Sequence, residues 1–198
     1  SIQSVSLTGG EPTLRHDLPQ LAQLLVNKLP ALRRLTLTTN ALDSDRVVNQ
    51  CTQLGRLSAA HGIDFFVGVS LDGIGPLHDE MRNIPGAFRK VADTLDGLQA
   101  LGQQGTLRTG ISCTLTGRNL HDARNVLRWC SERGLHTNFI IASFSDSFYD
   151  NMEAQAELEI TTEQRQILLP FLEELAAQSP LGNPAAYFYA DVARMIGS

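Results

Sequence analysis

The sequence predicts an α/β protein with a parallel sheet, because strand-like and helix-like segments alternate along the chain. Five short apolar runs begin about 30 residues apart, with one longer interval that contains Pro76, Pro85 and Gly86. The segments between these runs carry leucine and other apolar residues at helical spacing. Strands joined by helices at this interval pair in parallel through right-handed crossovers, and both faces of such a sheet are suited to burial.

Local signals place each element in order. The predicted strands occupy residues 4–7, 35–40, 65–71, 109–115 and 136–141. Three of the helices between them begin at N-cap residues, which are Asp17, Asp43 or Ser44, and Asn119. The four helices end at Pro30, Gly62, Gly102 and Gly134. The stretch from Pro76 to Gly86 is expected to be a loop.

The alternation stops after residue 141. Residues 142–160 are expected to form a polar loop with five acidic residues, Asp146, Asp150, Glu153, Glu157 and Glu159. Its aromatic side chains either line a pocket or anchor a solvated connection; they are Phe144, Phe148 and Tyr149. Two packing helices follow, one capped by Thr161 or Thr162 with a kink at Pro170, the other opening at Asn183-Pro184. We expect residues 1–142 to form the core, and residues 143–198 to add the loop and packing helices to the same domain.

Composition disfavours several classes of protein. The chain has 198 residues, 42% of them hydrophobic, and a net charge of −5 without any Lys/Arg cluster, which disfavours nucleic-acid binding. No apolar run is long enough to span a bilayer, so no membrane partner and a cytoplasmic location are expected. Cys51, Cys113 and Cys130 lack metal-ligand spacing and are expected to be buried small hydrophobic residues. Neither common glycine-rich phosphate-binding pattern occurs, which disfavours an ordinary nucleotide binder.

Small polar residues follow the predicted strands at their carboxyl ends. The first strand runs into Gly9-Gly10-Glu11-Pro12, where two glycines leave backbone groups open to a ligand and the proline stiffens the exit. The other ends carry Thr-Thr-Asn at 38–40, Ser-Leu-Asp-Gly at 70–73, polar residues from 114 to 119, and Ser143 with Ser145. These ends meet at one edge of a parallel sheet, so they predict a ligand site. Glu11 and Asp72 are its only convergent carboxylates, and all five histidines are expected at the surface or in caps, so no acid–base cluster is predicted.

The order of these motifs closely resembles the radical S-adenosylmethionine (SAM) enzyme superfamily. The matching residues are Gly-Gly-Glu-Pro at 9–12, Thr-Thr-Asn at 38–40, Ser-Leu-Asp-Gly at 70–73, His78-Asp79, Arg82, and Pro-Gly-Ala-Phe at 85–88. Residues 109–115 resemble the fifth strand of that fold and residues 139–141 the sixth. The resemblance implies a partial (β/α)6 TIM-like barrel with parallel strands that lacks its first βα unit. Within the superfamily, the chain resembles the SPASM-type branch, which often carries an extra cluster-binding domain at its C-terminus.

The resemblance implies a SAM-binding role for residues after the first two strands. The backbone of the two glycines and the carboxylate of Glu11 would meet the ammonium region of the cofactor. The next strand would face the same cavity with its last polar residues. The residues implied in this way are Gly9, Gly10, Glu11, Pro12, Thr39 and Asn40.

Residues after the later strands would bind the rest of SAM. The resemblance implies hydrogen bonds from Ser70 and Asp72 to the cofactor's carboxylate or ribose hydroxyls, and a ribose contact from Ser112. The backbone of Ile140 and Ile141 would flank the adenine. Taken alone, residues 72–73 are equally typical of a simple turn and residues 38–39 of ordinary strand positions. Arg82 either pairs with a carboxylate of the ligand or makes a structural salt bridge.

One defining motif of the superfamily is absent from the sequence. The Cys-x3-Cys-x2-Cys loop, which binds three irons of the 4Fe-4S cluster, does not occur. The chain opens without Met, on residues that resemble the family's second strand, as though the first unit had been left out. We therefore expect a radical SAM enzyme with SAM and a 4Fe-4S cluster as cofactors, whose cluster ligands are not in this chain.

The expected partners follow from the same resemblance. They are a peptide or small-molecule substrate and an electron donor such as flavodoxin or ferredoxin. An open sheet edge, where the first unit would pair, could let the chain self-associate. The alternative is a non-catalytic binding or scaffold module derived from such a barrel, and the upstream coding sequence would distinguish the two.

Overall fold

A computed structural model describes residues 1–146, 151–178 and 184–197. Five strands form one sheet in chain order, namely β1 Ser4–Leu7, β2 Arg34–Thr39, β3 Asp64–Ser70, β4 Arg108–Leu115 and β5 His136–Ile141. Neighbouring strands from β1 to β4 pair in parallel. The predicted α/β fold with a parallel sheet is therefore confirmed. Within the described residues the sheet is open, with β1 and β5 at its edges, so the barrel does not close.

Eight helices accompany the sheet in the part of the chain that the structure describes. They are α1 Leu18–Lys28, α2 Ser44–Ala60, α3 Pro76–Arg82, α4 Ala87–Gln103, α5 Ala123–Glu132, α6 Gln155–Leu158, α7 Thr162–Gln178 and α8 Pro184–Gly197. Short 3-10 helices cover Pro12–Leu14, Leu120–Asp122 and Met152–Ala154. Four residues named in the sequence-based expectations lie outside the described ranges, namely Phe148, Tyr149, Asp150 and Asn183.

Two predicted caps are present as hydrogen bonds. The Asp43 carboxylate accepts from the backbone N–H of Arg46 at 3.2 Å and so begins α2. Thr161 and Gln164 form a reciprocal capping box at the start of α7, because each side chain accepts from the other residue's backbone N–H. These bonds satisfy donors that the first turn of a helix leaves unpaired.

Two local expectations were wrong. Helix α3 occupies the segment expected to be a loop; Gly75, with φ +59°, precedes it, and Asn83 ends it in the left-handed conformation. Its seven residues make about two turns, which is too short for hydrophobic periodicity to show. Asn119 stands at the N-cap position of the 3-10 helix Leu120–Asp122, but its side chain makes no cap hydrogen bond. Its Oδ1 instead accepts from the backbone and hydroxyl of Thr116 and so closes the preceding turn.

Alternating side chains give the sheet two different faces. One face is apolar and buried, and includes Leu35, Leu37, Val67 and Val69. Burial of each such side chain contributes about 1.5–3 kcal/mol to the stability of the fold. The opposite face, called the polar face below, carries Ser6, Thr36, Thr38, Phe66, Gly68, Ser70, Gly110 and Ser112. The hydrophobic core therefore lies on one side of the sheet, and the polar face remains available to a ligand.

The chain divides into two compact units. The first contains Ser1–Thr114 and Val126–Ile140, and the second contains Leu115–Asn125 and Ile141–Ser198. Within the second unit, the backbone of Gly117 donates to Leu158 O at 2.8 Å and accepts from Gln164 Nε2 at 2.8 Å. The predicted boundary at residue 142 stays a prediction. Among the described residues, the helices are all too short or too polar to cross a membrane.

Candidate functional site

The predicted ligand residues of the first unit lie at the carboxyl ends of β1 to β4. Ser70 and Ser112 are register partners on β3 and β4, and the backbone N–H of Leu71 donates to Ser112 O at 3.0 Å. Thr39 is the last residue of β2, and Asn40 follows it. Neighbouring parallel strands present these ends at the same edge of the sheet. We call this edge, defined by Gly9, Gly10, Asn40, Ser70 and Ser112, the polar edge.

Glu11 joins the end of β1 to the end of β2 through its carboxylate. Its Oε1 accepts from Thr13 N at 3.1 Å, Thr13 Oγ1 at 2.7 Å and Thr39 Oγ1 at 3.0 Å. Its Oε2 accepts from the backbone N–H of Asn40 at 2.7 Å. Three of these four donors share Oε1 and one uses Oε2, so Oε2 can still accept from one further donor. These bonds hold the Glu11 carboxylate at the corner, and its contact with the ammonium group of SAM stays a prediction.

The two glycines of the corner are exposed, and their surroundings are open. Gly9 has φ +139°, a conformation that L side chains rarely adopt, whereas the φ of Gly10 is not positive. A Cβ added at either position would have no other atom within 4 Å, apart from its chain neighbours. Pro12 starts the short 3-10 helix that leaves the corner. Folding thus explains why Gly9 is glycine, whereas neither the backbone conformation nor the packing requires glycine at Gly10.

Asp72 joins the ends of β3 and β4 in a similar way. Its Oδ1 accepts from the backbone N–H of Thr114 at 2.9 Å, and its Oδ2 pairs with the Arg82 guanidinium at 2.6 Å. Asp72 is only 8% exposed, so this charge-assisted pair is largely shielded from water. Of the two roles that the sequence left open for Arg82, the structure shows the structural salt bridge. Asp72 therefore holds the spacing of the two strands that carry Ser70 and Ser112.

His78 was expected at the surface or in a cap, and that expectation was wrong. The side chain is fully buried, and its Nδ1 accepts from the backbone N–H of Asp72 at 3.1 Å. Burial, followed by the nearby Arg82 charge, lowers the pKa of His78 to about 4, so the ring is neutral near pH 7. No signal in the sequence indicated this role, because helix α3, which carries both His78 and Arg82, is too short to be predicted.

The hydroxyl groups of Ser70 and Ser112 are half-buried at the polar edge. Among the described residues, neither hydroxyl has a hydrogen-bond partner. Their spacing is set by β3–β4 pairing and by the Asp72 bridge above them. These two hydroxyls are therefore available to bind the polar atoms of a ligand.

Ile140 and Ile141 end β5 on opposite faces of the strand. Ile140 is 42% exposed. Ile141 is half-buried and, with Leu115, Phe144 and Leu168, lines a small apolar pocket of the second unit, about 160 Å³ in volume. Their proposed contact with an adenine ring stays a prediction.

The three cysteines are buried, as the sequence predicted, and none of them is in a disulfide among the described residues. Cys51, Cys113 and Cys130 are each at most 1% exposed. Burial raises the pKa of Cys51 to about 12 and also raises that of Cys130. Iron is bound by thiolates, so buried thiols with raised pKa values are unsuited to hold a cluster.

A family comparison matches the polar edge and most of the sheet. The model described as "Radical SAM superfamily" matches residues 1–130. The chain belongs to the radical SAM superfamily.

Named radical SAM enzymes are similar to this chain over part of their own length. It is 32% identical over 140 residues to pre-heme d1 synthase of Dinoroseobacter shibae, which covers 68% of this chain and 30% of that protein. It is 31% identical over 142 residues to GTP 3',8-cyclase of Pseudomonas fluorescens, covering 70% of this chain and 38% of the cyclase. The chain thus spans about a third of the length of these relatives.

Solved structures confirm the radical SAM type of fold. The structure of anSMEcpe with bound AdoMet and Kp18Cys peptide superposes with a TM-score of 0.61 at 18% sequence identity. The match covers 88% of this chain and 46% of anSMEcpe. The SPASM-type branch stays a prediction.

The cofactors of radical SAM enzymes, SAM and a 4Fe-4S cluster, fit this chain unequally. The open backbone at Gly9 and Gly10 and the two free hydroxyls suit the ammonium group and the ribose of SAM. The cluster has no matching ligands, because the three-cysteine loop is absent and the described cysteines are buried. The residues present therefore fit SAM and do not fit the cluster.

Proposed function

We propose that this chain is the SAM-binding core of a radical SAM enzyme that acts on a peptide or a small molecule. The observation that supports it best is the open backbone at Gly10. Its φ does not require glycine, and the space beside it is empty, so a ligand that approaches the main chain explains the residue. When bound with a reduced cluster, SAM would supply a 5'-deoxyadenosyl radical that abstracts hydrogen from a substrate.

The residues of the polar edge would bind SAM in distinct ways. The backbone carbonyl groups of Gly9 and Gly10 would accept hydrogen bonds from the ammonium group, and the nearby charge of Glu11 would favour that cation. Ser70 and Ser112 would bind the ribose hydroxyls. Glu11 and Asp72 would act mainly by position, because protein donors already occupy their oxygens.

The remaining residues of the predicted site extend this assignment. Thr39 would support the carboxylate of Glu11, to which it donates at 3.0 Å. The Oδ1 of Asn40 accepts from Leu42 N at 3.1 Å, which leaves its Nδ2 to meet the cofactor. Pro12 would hold the corner rigid. The backbone of Ile140 and Ile141 would flank the adenine.

The complete enzyme would need groups that these 198 residues do not supply. These 198 residues contain no Cys-x3-Cys-x2-Cys loop to bind a cluster, and an electron donor such as flavodoxin or ferredoxin would reduce it. We place this reaction in the cytoplasm. The four residues of β1 form an edge of the sheet and pair with β2 only. Two copies of the chain would self-associate through this edge.

A substitution at Gly10 tests SAM binding without disturbing the fold. Gly10→Ala has no steric or conformational cost in the free chain, so its free energy of unfolding should stay within about 0.5 kcal/mol of wild type. The added methyl group should nevertheless raise the Kd for SAM, measured by titration calorimetry, about tenfold or more. Gly102→Ala in α4 is the matched control and should leave that Kd unchanged. A chain that does not bind SAM, or a Gly10→Ala chain that binds it normally, would refute the proposal.

The absence of the cysteine loop favours a second candidate, a non-catalytic binding module. Anaerobic reconstitution of the natural gene product separates the two. A radical SAM enzyme should show a cluster EPR signal and reductant-dependent 5'-deoxyadenosine. A binding module would show neither signal and would still bind its ligand.

A further inference from the structure

The polar face contains an aromatic platform just below the polar edge. The register places Gly68 of β3 beside Gly110 of β4, with Phe66 one row earlier on the same face. A Cβ added at Gly110 would lie 2.9 Å from Phe66 Cζ, and one at Gly68 would lie 3.7 Å from Phe66 Cε1. The phenyl ring therefore reaches over both glycines, toward the carboxyl ends of the strands. The two glycines make room for the ring.

Hydroxyl and amide groups surround this platform in a cavity of about 290 Å³. The lining includes Thr36, Thr38, Phe66, Ser112, His136 and Asn138; His136 is its one titratable side chain, and none of its residues is Asp, Glu, Lys or Arg. In closed α/β barrels this interior face is usually filled by Val, Ile and Leu. A hydroxyl-lined cavity with a half-buried ring is instead the lining expected of a small-molecule site.

The charged residues of the same face lie at the amino end of the strands and bind one another. Asp64 pairs with Arg34 at 3.0 Å and with Arg108 at 2.6 Å. The Arg108 guanidinium also lies 6.0 Å from the centre of the Phe66 ring. The carboxylate is thus engaged, and the cavity lining carries hydroxyl, amide and imidazole groups but no carboxylate, ammonium or guanidinium group. This lining selects an uncharged, planar ligand group in preference to an ionised one.

The cavity adjoins the proposed SAM site. Ser112 lines the cavity and also belongs to the polar edge. The Ser70–Ser112 row is two residues beyond the Gly68–Gly110 row, which corresponds to about 7 Å along the strands. A group stacked on Phe66 would therefore lie beside a SAM bound at the polar edge.

We propose that the polar face binds the substrate of this enzyme through a planar, uncharged, unsaturated group, such as an aromatic ring or a heteroaromatic base. The group stacks on Phe66, and the hydroxyls of Thr36 and Thr38 bind its polar edge. This inference rests on the proposed function, since it places the substrate of the same site. It makes Phe66 a specificity-determining residue.

Two neutral probes that differ in planarity test the platform. With SAM present, N-acetyltryptophanamide should bind the chain at least about tenfold more tightly than N-acetylleucinamide, as measured by saturation-transfer NMR titration. Phe66→Leu should weaken binding of the tryptophan probe about five- to tenfold, and Thr38→Val about threefold. Phe66→Tyr keeps the ring and should retain binding. Phe88→Leu removes a half-buried ring that packs on Trp129 outside the cavity, and it should have no effect.

The outcomes separate this inference from the proposed function. Equal binding of both probes, or unchanged binding of the tryptophan probe by Phe66→Leu and Thr38→Val, overturns the platform. The Kd for SAM should change less than twofold in all of these variants. Platform binding by a chain that does not bind SAM would support the planar site and refute only the SAM-binding function.

Discussion

Replacement of Glu11 by glutamine tests whether this carboxylate positions the corner or binds the ligand directly. In the structure, four protein donors share its two oxygens. Glutamine has one carbonyl oxygen, which can replace Oε1 and keep the three donors from Thr13 and Thr39. Its amide NH2 would then face the backbone N–H of Asn40, which now donates to Oε2 at 2.7 Å. Two donors would oppose each other where a charge-assisted bond existed.

The expected loss of stability follows from that exchange. A hydrogen bond to a charged group contributes about 1.5–3 kcal/mol, and a neutral one about 0.5–1.5 kcal/mol. The variant loses one charge-assisted bond and weakens three others. Glu11 is only half-buried, so water can replace part of the loss. We expect the free energy of unfolding to fall by about 2 kcal/mol, or the Tm by about 4–8 °C for a chain of this length.

Urea unfolding followed by circular dichroism measures this change. Glu132→Gln, an exposed substitution at the end of α5, is the matched control and should change the stability by less than about 0.5 kcal/mol. A Glu11→Gln chain as stable as the control would refute the positioning role. Loss of SAM affinity without loss of stability would instead make Glu11 a direct ligand, as the family resemblance implies.

Three further predictions concern buried groups. Arg82→Gln leaves the Asp72 carboxylate without its ion-pair partner, so the free energy of unfolding in urea should fall by about 2 kcal/mol. Adding Asp72→Asn should recover part of this loss. If the effects of the two substitutions are strictly additive, the two side chains are not coupled. The pKa of His78 is lowered from about 6.5 to about 4, so between these pH values the unfolded chain binds a proton that the folded chain does not. The free energy of unfolding should therefore be highest above pH 6.5 and fall by up to about 3 kcal/mol as the pH is lowered toward 4. His78→Gln should remove that part of the pH dependence, and an unchanged profile would contradict the assignment. Ellman's reagent should detect no thiol in the native chain and three after unfolding, whereas rapid native labelling would show that the cysteines are accessible.

Much of the fold could be predicted because its signals are local. Alternating apolar runs located all five strands, and the capping residues at Asp43 and Thr161 marked helix starts that the structure confirms. The nearly constant interval between strands implied parallel pairing, which the structure shows from β1 to β4. Helix α3 was not predicted because it is too short to show a hydrophobic period. The side-chain bond of Asn119 was not predicted because Asn119 could accept either from the first turn of the following helix or from Thr116, both about three residues away.

The sequence by itself determined the fold class, the order of the strands and the polar residues at their ends, because each depends on residues that are close in the chain. Only the tertiary structure decided what those residues do. Glu11 meets the backbone of a residue 29 positions away, and Asp72 meets one 42 positions away. A carboxylate that could bind a ligand in isolation also fixes the position of the backbone once such distant donors bind it. The same holds for Phe66, whose ring covers a glycine on a neighbouring strand that no local pattern connects to it.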